Sequence, residues 1–308
     1  MQKILTIGLP RAMLYFRFRI LWKVFFQELG AKVIVSPPTD RQILEEGTAL
    51  AIDESCLSAK IYLGHVKALV GKCDYILIPW VNNFGRQRDM CTRFQSLPDL
   101  TKNVFRDTEQ EFLTYQLDVL GGMDEKSAFL DMGRALGFTP RQAKRAYARA
   151  KKEELAQYQA RTRAEEQLYK SDKLKIMVAA HSYIIQDSYI GKTVADGLKK
   201  LDAVPIRADL VERKEALKRS QELSPTCKWE ISREILGSIA MHRDKVDGIV
   251  LLSAFPCGPD SMVNELLTRR LEGVPLLNLV LDSQTGTAGV ETRLESFVDI
   301  IRLKKGAL

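Results

Sequence analysis

Apolar and polar positions along the chain form two alternating series of strand-like and helix-like segments. In the first series, short apolar runs at 3–8, 32–36 and 74–79 predict strands, and helical spacing predicts helices at 12–29, 40–51 and 56–71. In the second series, runs at 174–180, 204–207, 248–253 and 276–281 predict strands, and helices are predicted near 188–201, 228–243, 260–272 and 289–303. Continuously apolar runs such as DYILIP and GIVLLS are typical of parallel sheets, which are buried on both faces.

Between the two series, residues 96–170 are charged and helical in spacing, without a strand pattern. The sequence therefore predicts an α/β fold of two Rossmann-like lobes with parallel sheets and a helical insertion between them. The predicted domains are an N-terminal α/β lobe at 1–95, a helical bridging segment at 96–172 and a C-terminal α/β lobe at 173–308. Ligands of such sheets bind beyond the carboxyl ends of the strands, so we expect the site in the crevice between the lobes.

Composition and charge argue against several classes of protein. With 308 residues, 45% of them hydrophobic, the chain is long enough for two buried cores. No run of about 18 apolar residues occurs, so no membrane-spanning helix is expected. The net charge of +7 would suit nucleic acid, but much of the excess falls in residues 141–170, where Lys and Arg mix with Glu at helical spacing. That pattern is typical of a solvated helix, so no nucleic-acid partner is expected.

The start of the chain and its cysteine usage both indicate the cytoplasm. The sequence enters its first strand pattern directly, without the architecture of a signal peptide. The five cysteines are odd in number and widely spaced, which argues against a disulfide framework and fits a reducing compartment.

Three of the cysteines stand in settings suited to chemistry. Cys56 follows Asp-Glu-Ser, Cys91 lies in Asp-Met-Cys-Thr-Arg, and Cys257 lies in Phe-Pro-Cys-Gly-Pro-Asp. Each follows a predicted strand or lies near a predicted helix start, and three converging thiolates would suit a metal or an iron–sulfur cluster with one open iron. For Cys257, the N-terminus of the helix predicted near Asp260 would stabilise a thiolate.

Charged and polar residues near these cysteines extend the candidate site. Cys91 has three arginines around it that would favour a thiolate or balance an anionic cluster, namely Arg86, Arg88 and Arg93. His181 ends a predicted strand and is either a cluster neighbour and proton donor or a hydrogen-bonded loop histidine. The remaining cysteines and histidines are predicted to be structural or without a role: Cys73, Cys227, His65 and His242. The wide spacing argues against a zinc finger, and no GxxxxGK[ST] motif supports ATP hydrolysis by a P-loop.

A set of motifs spread over both lobes carries a resemblance. They are IGLPRA at 7–12 with FFQELG at 25–30, SPPT at 36–39, DESC at 53–56, residues 60–65, Phe94 and LPD at 97–99 after Cys91, FPCGPD at 255–260, QTG at 284–286, AG at 288–289 and TRLESFVD at 292–299. In combination they resemble the acyl-CoA dehydratase activase-related proteins, which are relatives of the 2-hydroxyacyl-CoA dehydratase subunits. The helical middle of the chain matches least.

The resemblance implies an iron–sulfur cluster held by Cys56, Cys91 and Cys257. Three thiolates leave one iron of a [4Fe–4S] cluster without a protein ligand, and only three motif cysteines make a double-cubane [8Fe–9S] cluster the weaker expectation. Three further side chains are expected near the open iron as catalytic residues: Glu54, His181 and Gln284.

The resemblance also implies how the protein acts. A separate ATP-dependent activase would donate electrons at low potential, and the chain would relay them or use them for a demanding reduction. Chemistry like that of a 2-hydroxyacyl-CoA dehydratase, on an acyl-CoA or another small substrate, would follow in an oxygen-poor setting, in a homodimer or heterodimer. Two interpretations from other classes stay open: a non-catalytic accessory or scaffold protein that binds a partner or another metal such as zinc, and a metal-free small-molecule-binding protein.

Overall fold

Two parallel sheets organise the chain in a computed structural model that describes residues 4–284 and 287–306. The described residues contain eight strands, which are β1 (Thr6–Leu9), β2 (Lys32–Val35), β3 (Tyr75–Asn83), β4 (Glu111–Asp118), β5 (Leu174–Ala179), β6 (Ala203–Arg207), β7 (Gly248–Ala254) and β8 (Leu276–Leu281). The first helices are α1 (Tyr15–Glu28), α2 (Arg41–Leu50), α3 (Leu57–Lys67), α4 (Thr92–Gln95), α5 (Leu97–Val104), α6 (Glu125–Ala135) and α7 (Pro140–Leu168). The later helices are α8 (Ser182–Ile185), α9 (Gly191–Lys200), α10 (Arg213–Arg219), α11 (Glu230–His242), α12 (Gly258–Arg270) and α13 (Thr287–Lys304), with 3-10 turns at Ser220–Glu222 and Arg243–Lys245.

The described residues divide into two compact units. The first unit comprises the chain up to Asp53, Ser58–Tyr158 and Lys228–Glu230. The second comprises Glu54–Leu57, Gln159–Cys227 and the chain from Ile231 onward. A short segment early in the sequence thus packs with the second unit, and a short segment late in the sequence packs with the first.

The two sheets have the same topology. Their strand orders are β2-β1-β3-β4 and β6-β5-β7-β8, and every neighbouring pair within them is parallel. The strand order reverses between β1 and β3 in one sheet and between β5 and β7 in the other. Ligands of open parallel sheets bind beyond the carboxyl ends of the strands at such a point. The predicted α/β fold of two lobes with parallel sheets is confirmed.

Strand β4 lies inside the segment that the sequence predicted to be helical. It pairs in parallel with β3, and its buried residues Leu113, Tyr115 and Leu117 alternate with residues that are half-exposed. The prediction of a segment without strands was therefore wrong. An edge strand has one open side and carries polar residues such as Glu111, so it lacks the continuous apolar run that marks the inner strands. The proposed boundaries of the three domains stay a prediction.

Aromatic side chains from three elements form the core of the first unit. Residues Phe18, Trp22 and Phe25 of α1 follow helical i, i+4, i+7 spacing and lie on one buried face. The rings of Phe18 and Trp22 each lie 5.5 Å from that of Tyr115 in β4, and the ring of Phe25 lies 4.7 Å from Phe129 in α6. These contacts hold α1 across the sheet, directly after the turn that ends β1.

Two glycines allow α2 and α3 to pack with their backbones in contact. A Cβ atom on Gly47 would lie 1.9 Å from the carbonyl oxygen of Lys60, and one on Gly64 would lie 2.0 Å from that of Ile43. Larger residues would force the helices apart. This close packing fixes the position of α3 and therefore of the chain that leads into it.

The core of the second unit is centred on β7, in which every residue is buried. Helix α13 packs on it closely, since a Cβ atom on Gly248 would lie 2.5 Å from Cδ1 of Ile301. In the described part of the chain, no helix is both long and apolar enough to cross a membrane.

Candidate functional site

Each of the three predicted ligand cysteines lies directly before the first residue of a helix. Cys56 precedes α3, Cys91 is the N-cap residue of α4, and Cys257 is the N-cap residue of α12. Cys91 and Cys257 also occupy corresponding places in the two units. Each follows the strand next to the first strand of its sheet, β3 in one unit and β7 in the other.

The second unit brings Cys56 and Cys257 together. The backbone N–H of Leu57 donates a hydrogen bond of 2.8 Å to the carbonyl oxygen of Phe255, which joins the two cysteine-bearing segments. The sulfur of Cys56 is near enough to that of Cys257 to disfavour its ionisation. Two of the three predicted ligands therefore belong to one local arrangement.

The loop that carries Cys257 is held at both ends by backbone hydrogen bonds. The N–H of Cys257 donates to the carbonyl oxygen of Ala254 at 2.9 Å, which closes the turn after β7. The carbonyl oxygen of Cys257 accepts from the backbone N–H of Ser261 at 3.0 Å and from its hydroxyl at 2.8 Å. The peptide bond between Phe255 and Pro256 is cis. The thiol is therefore carried on an ordered strand-to-helix turn.

Burial, rather than the helix terminus, decides the protonation of Cys257. Burial raises the pKa of the Cys257 thiol above its usual range, and the carboxylate of Asp260 raises it further. The backbone N–H of Asp260 bonds to the sulfur and acts in the opposite direction, but it is outweighed. The helix N-terminus therefore favours the thiolate as expected, but burial and the Asp260 carboxylate outweigh it, and the net effect raises the pKa of the Cys257 thiol. A metal bound here would have to displace the proton.

His181 and Asp260 form a buried pair beside Cys257. His181 ends the β5 segment and is the N-cap residue of α8, so it lies at the same crevice as the loop after β7. Its Nε2 atom lies 3.2 Å from Oδ1 of Asp260 and 3.4 Å from the hydroxyl of Ser232, and its Nδ1 atom hydrogen-bonds with the hydroxyl of Tyr183. His181 is thus a hydrogen-bonded histidine, and Asp260 lies between it and Cys257.

Asp260 is the residue that the sequence analysis did not single out. Its carboxylate is buried, and its contacts reach both Cys257 and His181. A signal was present in the sequence, because an acidic residue three positions after a cysteine in the first turn of a helix points back toward that cysteine. Its pairing with His181 required the order of the strands.

The other two predicted catalytic residues also belong to the second unit. Glu54 is exposed and precedes Cys56 by two positions. Gln284 is exposed in the turn after β8, where its N–H donates to Oδ1 of Asp282 at 2.8 Å. The rest of that motif, Thr285 and Gly286, lies outside the described residues. Their place near an open iron stays a prediction.

One of the three arginines near Cys91 forms an ion pair with a buried carboxylate. The guanidinium group of Arg88 binds the carboxylate of Glu230 through two hydrogen bonds of 2.8 and 2.5 Å. Glu230 is fully buried, and its backbone N–H donates to the carbonyl oxygen of Asp89 at 2.9 Å. Arg88 is therefore paired with a carboxylate within its own unit, and its role as a counter-charge to a cluster stays a prediction.

Part of the SPPT motif and His65 of the motif at 60–65 form a structural network. The side chain of His65 is buried between the hydroxyls of Ser36 and Thr39, at 2.8 Å from Nδ1 and 3.0 Å from Nε2. Burial lowers the pKa of His65 to about 3, and the nearby cation of Arg11 lowers it too. The Ser36 hydroxyl also accepts from the backbone N–H of Arg11 at 2.8 Å. The prediction that His65 is structural is confirmed.

Two other predicted structural residues have comparable settings. Burial raises the pKa of Cys73 to about 11. Its sulfur packs against Gly8, because a Cβ atom on Gly8 would lie 2.6 Å from it. The ring of His242 stacks on Tyr169 with centroids 4.8 Å apart, and its Nδ1 atom hydrogen-bonds with the carbonyl oxygen of Ser238 at 3.0 Å. Both are packing residues.

Two of the three predicted ligand cysteines lie in the second unit. Within residues 4–284 and 287–306, no three His, Cys, Asp or Glu side chains form a group that could hold a metal ion. Cys56 and Cys257 nevertheless lie together on helix-starting turns, and Cys257 accepts an N–H···S hydrogen bond of the kind that cluster sulfurs receive. Ligation by Cys56, Cys91 and Cys257 stays a prediction that rests on the resemblance.

The fold and site define a two-unit α/β protein in which a cysteine at the start of α3 lies beside a cysteine on the turn from β7 to α12. A family profile described as the CoA enzyme activase uncharacterised domain (DUF2229) matches residues 6–211. The match extends over more than half of the chain, so the protein belongs to this activase-related family, and the predicted family is confirmed.

Solved structures and curated proteins add little to this assignment. The chain is similar to two structures of the SBP FpvC from Pseudomonas aeruginosa, in complex with Ni²⁺ and with Mn²⁺, at TM-scores of 0.30 and 0.29. Each is 12% identical, and the matches cover 97% of this chain and 96% and 98% of those chains. Similarity at this level carries no functional argument. No curated protein matches the sequence.

Proposed function

We propose that this protein is an iron–sulfur component of a CoA-enzyme activase system. It holds a [4Fe–4S]-type cluster through Cys56, Cys91 and Cys257, and it accepts low-potential electrons from an ATP-dependent activase. The observation that carries the proposal is the hydrogen bond from Leu57 to Phe255, which sets Cys56 beside Cys257 although they are far apart in sequence. Membership of the activase-related family supports it.

The chain's own residues would prepare the cluster site. Burial raises the pKa of the Cys257 thiol, which opposes the loss of its proton that ligation requires. The backbone N–H of Asp260 then remains as a donor to the sulfur. When bound, the cluster supplies a one-electron carrier whose potential depends on charge, hydrogen bonds and solvent exposure.

We propose further how the electron is used. The electron is relayed or used in a demanding reduction, and chemistry like that of a 2-hydroxyacyl-CoA dehydratase on an acyl-CoA or a related small molecule is the form that we favour. Glu54, His181 and Gln284 would act near the open iron. His181 is the best supported of the three, because it is buried and linked through Asp260 to Cys257.

Iron and acid-labile sulfide per chain test the cluster, on protein purified and reconstituted without oxygen. We expect about four of each, with an EPR signal after reduction by dithionite. Substitution of Cys56, Cys91 or Cys257 by serine should lower bound iron, and Cys227→Ser is the matched control that should retain it. Full iron in all four variants would show that the ligands are wrong, and absence of iron from the wild-type protein would refute the cluster.

The alternative function is a non-catalytic accessory protein that binds another metal or only a partner. The observation that no group of three metal-binding side chains occurs among the described residues favours the form of it that binds only a partner. Zinc and iron measured on the same preparation separate the two functions. Zinc in stoichiometric amount, or no metal after anaerobic reconstitution, would favour the alternative.

A further inference from the structure

A groove runs between helices α1 and α7 in the first unit. Its volume is about 870 Å³, and it is lined by one segment of each helix, at residues 20–28 and 149–157. All of these residues belong to the first unit, and none of the lining residues is a cysteine. Pockets for small organic ligands have volumes of roughly 300–1,000 Å³, so the groove has the size of a ligand site.

The first half of α7 concentrates positive charge that its surroundings leave largely unpaired. Residues 141–152 include six Lys or Arg and no Asp or Glu. Arg149 pairs with Glu28 of α1 at 3.0 Å. Lys151 pairs with Glu125 of α6 at 2.9 Å. The other four form no ion pair with any described residue, namely Arg141, Lys144, Arg145 and Lys152.

Two unpaired lysines line the groove, one from each helix. Lys23 of α1 and Lys152 of α7 are exposed, and neither forms an ion pair within the described part of the chain. The carboxylates that line the groove have other partners, because Glu28 is held by the ion pair to α7 and Glu153 accepts a 2.6 Å hydrogen bond from Gln157. Two cations therefore face the groove without a counter-charge of their own.

Apolar side chains line the same groove. Ile20 and Val24 of α1 are half-buried there, and Ala156 lines it from α7. A ligand that combines negative charge with an apolar part would contact both kinds of surface. Lysine binds phosphate as a point charge, and a diphosphate concentrates negative charge over a short span.

We propose that this groove binds an organic diphosphate, with its phosphates held by Lys23 and Lys152 and its apolar part against Ile20 and Val24. The inference goes beyond the proposed function and does not depend on a cluster. Each lining segment extends over nine residues, 20–28 and 149–157, which is about 13 Å of helix. That length suits a single nucleotide-sized ligand better than a tract of nucleic acid.

Isothermal titration calorimetry of the full chain with ADP tests the groove. We expect ADP to bind, and we expect Lys23→Gln and Lys152→Gln each to weaken binding about fivefold, because each variant loses one charge-assisted contact. Lys144→Gln is the matched control, since Lys144 is an exposed and unpaired lysine of α7 that does not line the groove. It should leave the affinity unchanged. Adenosine, which has no phosphate, should not bind.

Several results would overturn the inference. No binding of ADP at about 1 mM in low salt would do so, as would adenosine that binds as tightly as ADP. An equal loss of affinity in Lys144→Gln would show non-specific attraction to the basic helix. Duplex DNA, titrated in parallel, tests the competing ligand, and DNA binding without ADP binding would assign these cations to nucleic acid. The iron content of the protein is measured separately, so failure here leaves the proposed function intact.

Discussion

The backbone N–H of Leu57 donates a 2.8 Å hydrogen bond to the carbonyl oxygen of Phe255. Leu57 follows Cys56 directly, and Phe255 precedes Cys257 by two positions, so this one bond joins the two cysteine-bearing turns. It also explains why Glu54–Leu57 packs with the second unit although the chain on both sides of it packs with the first. The pairing of the cysteines is thus a property of the backbone.

Removal of that backbone donor should weaken the cluster site. Leu57 is the first residue of α3, where proline is tolerated because the N–H makes no intrahelical bond. Leu57→Pro therefore deletes the bond to Phe255 while α3 can still form, and we expect less iron per chain after reconstitution. Leu57→Ala keeps the N–H and removes side-chain contacts, so it is the control. Equal iron in both variants would mean that the hydrogen bond does not hold the site.

The ion pair between Arg88 and Glu230 should stabilise the first unit. The carboxylate of Glu230 is fully buried and is also 3.9 Å from the guanidinium of Arg17. Glu230→Gln removes the negative charge that both cations contact, which should cost about 3 kcal/mol in the free energy of unfolding. Urea denaturation gives the value.

A solvent-exposed pair provides the comparison for Glu230. Glu45 and Arg41 interact at 2.7 Å on the surface of α2, and Glu45→Gln should cost less than about 0.5 kcal/mol. Equal losses in the two variants would show that burial of Glu230 carries no extra stabilisation.

The low pKa of His65 should make the stability of the protein fall in mild acid. Burial lowers this pKa from 6.5 to about 3 in the folded state, so the folded protein resists a proton that the unfolded chain accepts. The contribution is therefore fully present above pH 6.5 and is lost as the pH falls toward 3. By pH 5 the loss should be about 2 kcal/mol.

His65→Gln isolates that contribution. The variant has no imidazole to titrate, so its unfolding free energy should change less between pH 7.5 and 5 than that of the wild-type protein, by the same ~2 kcal/mol. Urea denaturation at both pH values measures the difference. Parallel pH dependence in the two proteins would contradict the low pKa.

The close approach of α2 and α3 should make Gly64 intolerant of a side chain. A Cβ atom there would lie 2.0 Å from the carbonyl oxygen of Ile43, which is backbone and cannot move alone. Gly64→Ala should therefore lower the free energy of unfolding by about 3 kcal/mol, at the upper end for an overpacked core. Gly289→Ala is the control, because a Cβ atom at Gly289 in α13 would meet nothing within 4 Å. A thermal melt that shows equal stability for the two variants would refute the tight packing.

The sequence predicted seven of the eight strands in the described residues, and strand β4 is the exception. Inner strands such as β7 are buried on both faces and read as continuous apolar runs. Strand β4 is an edge strand whose apolar and polar residues alternate within a charged region, and its helical neighbours dominated the pattern. Only its pairing with β3 identifies it.

In the candidate site, too, local features were predicted from sequence and long-range effects were not. The local motif around Cys257 predicted a thiol at a strand-to-helix turn, and the structure has that turn. The turn acts on the thiol in the predicted direction, because the backbone N–H of Asp260 lowers the pKa of Cys257, but burial and the Asp260 carboxylate outweigh it. Burial at a loop depends on what packs over it, which sequence spacing does not contain.

The sequence alone determined the succession of strands and helices, the two-lobed α/β class and the family. These follow from backbone periodicity and from short motifs, both of which are local along the chain. Only the tertiary structure decided that Leu57 meets Phe255, that His181 meets Asp260 and that Arg88 meets Glu230. Each pair joins residues that are distant in sequence, and such contacts depend on strand order and on which side chains are buried together.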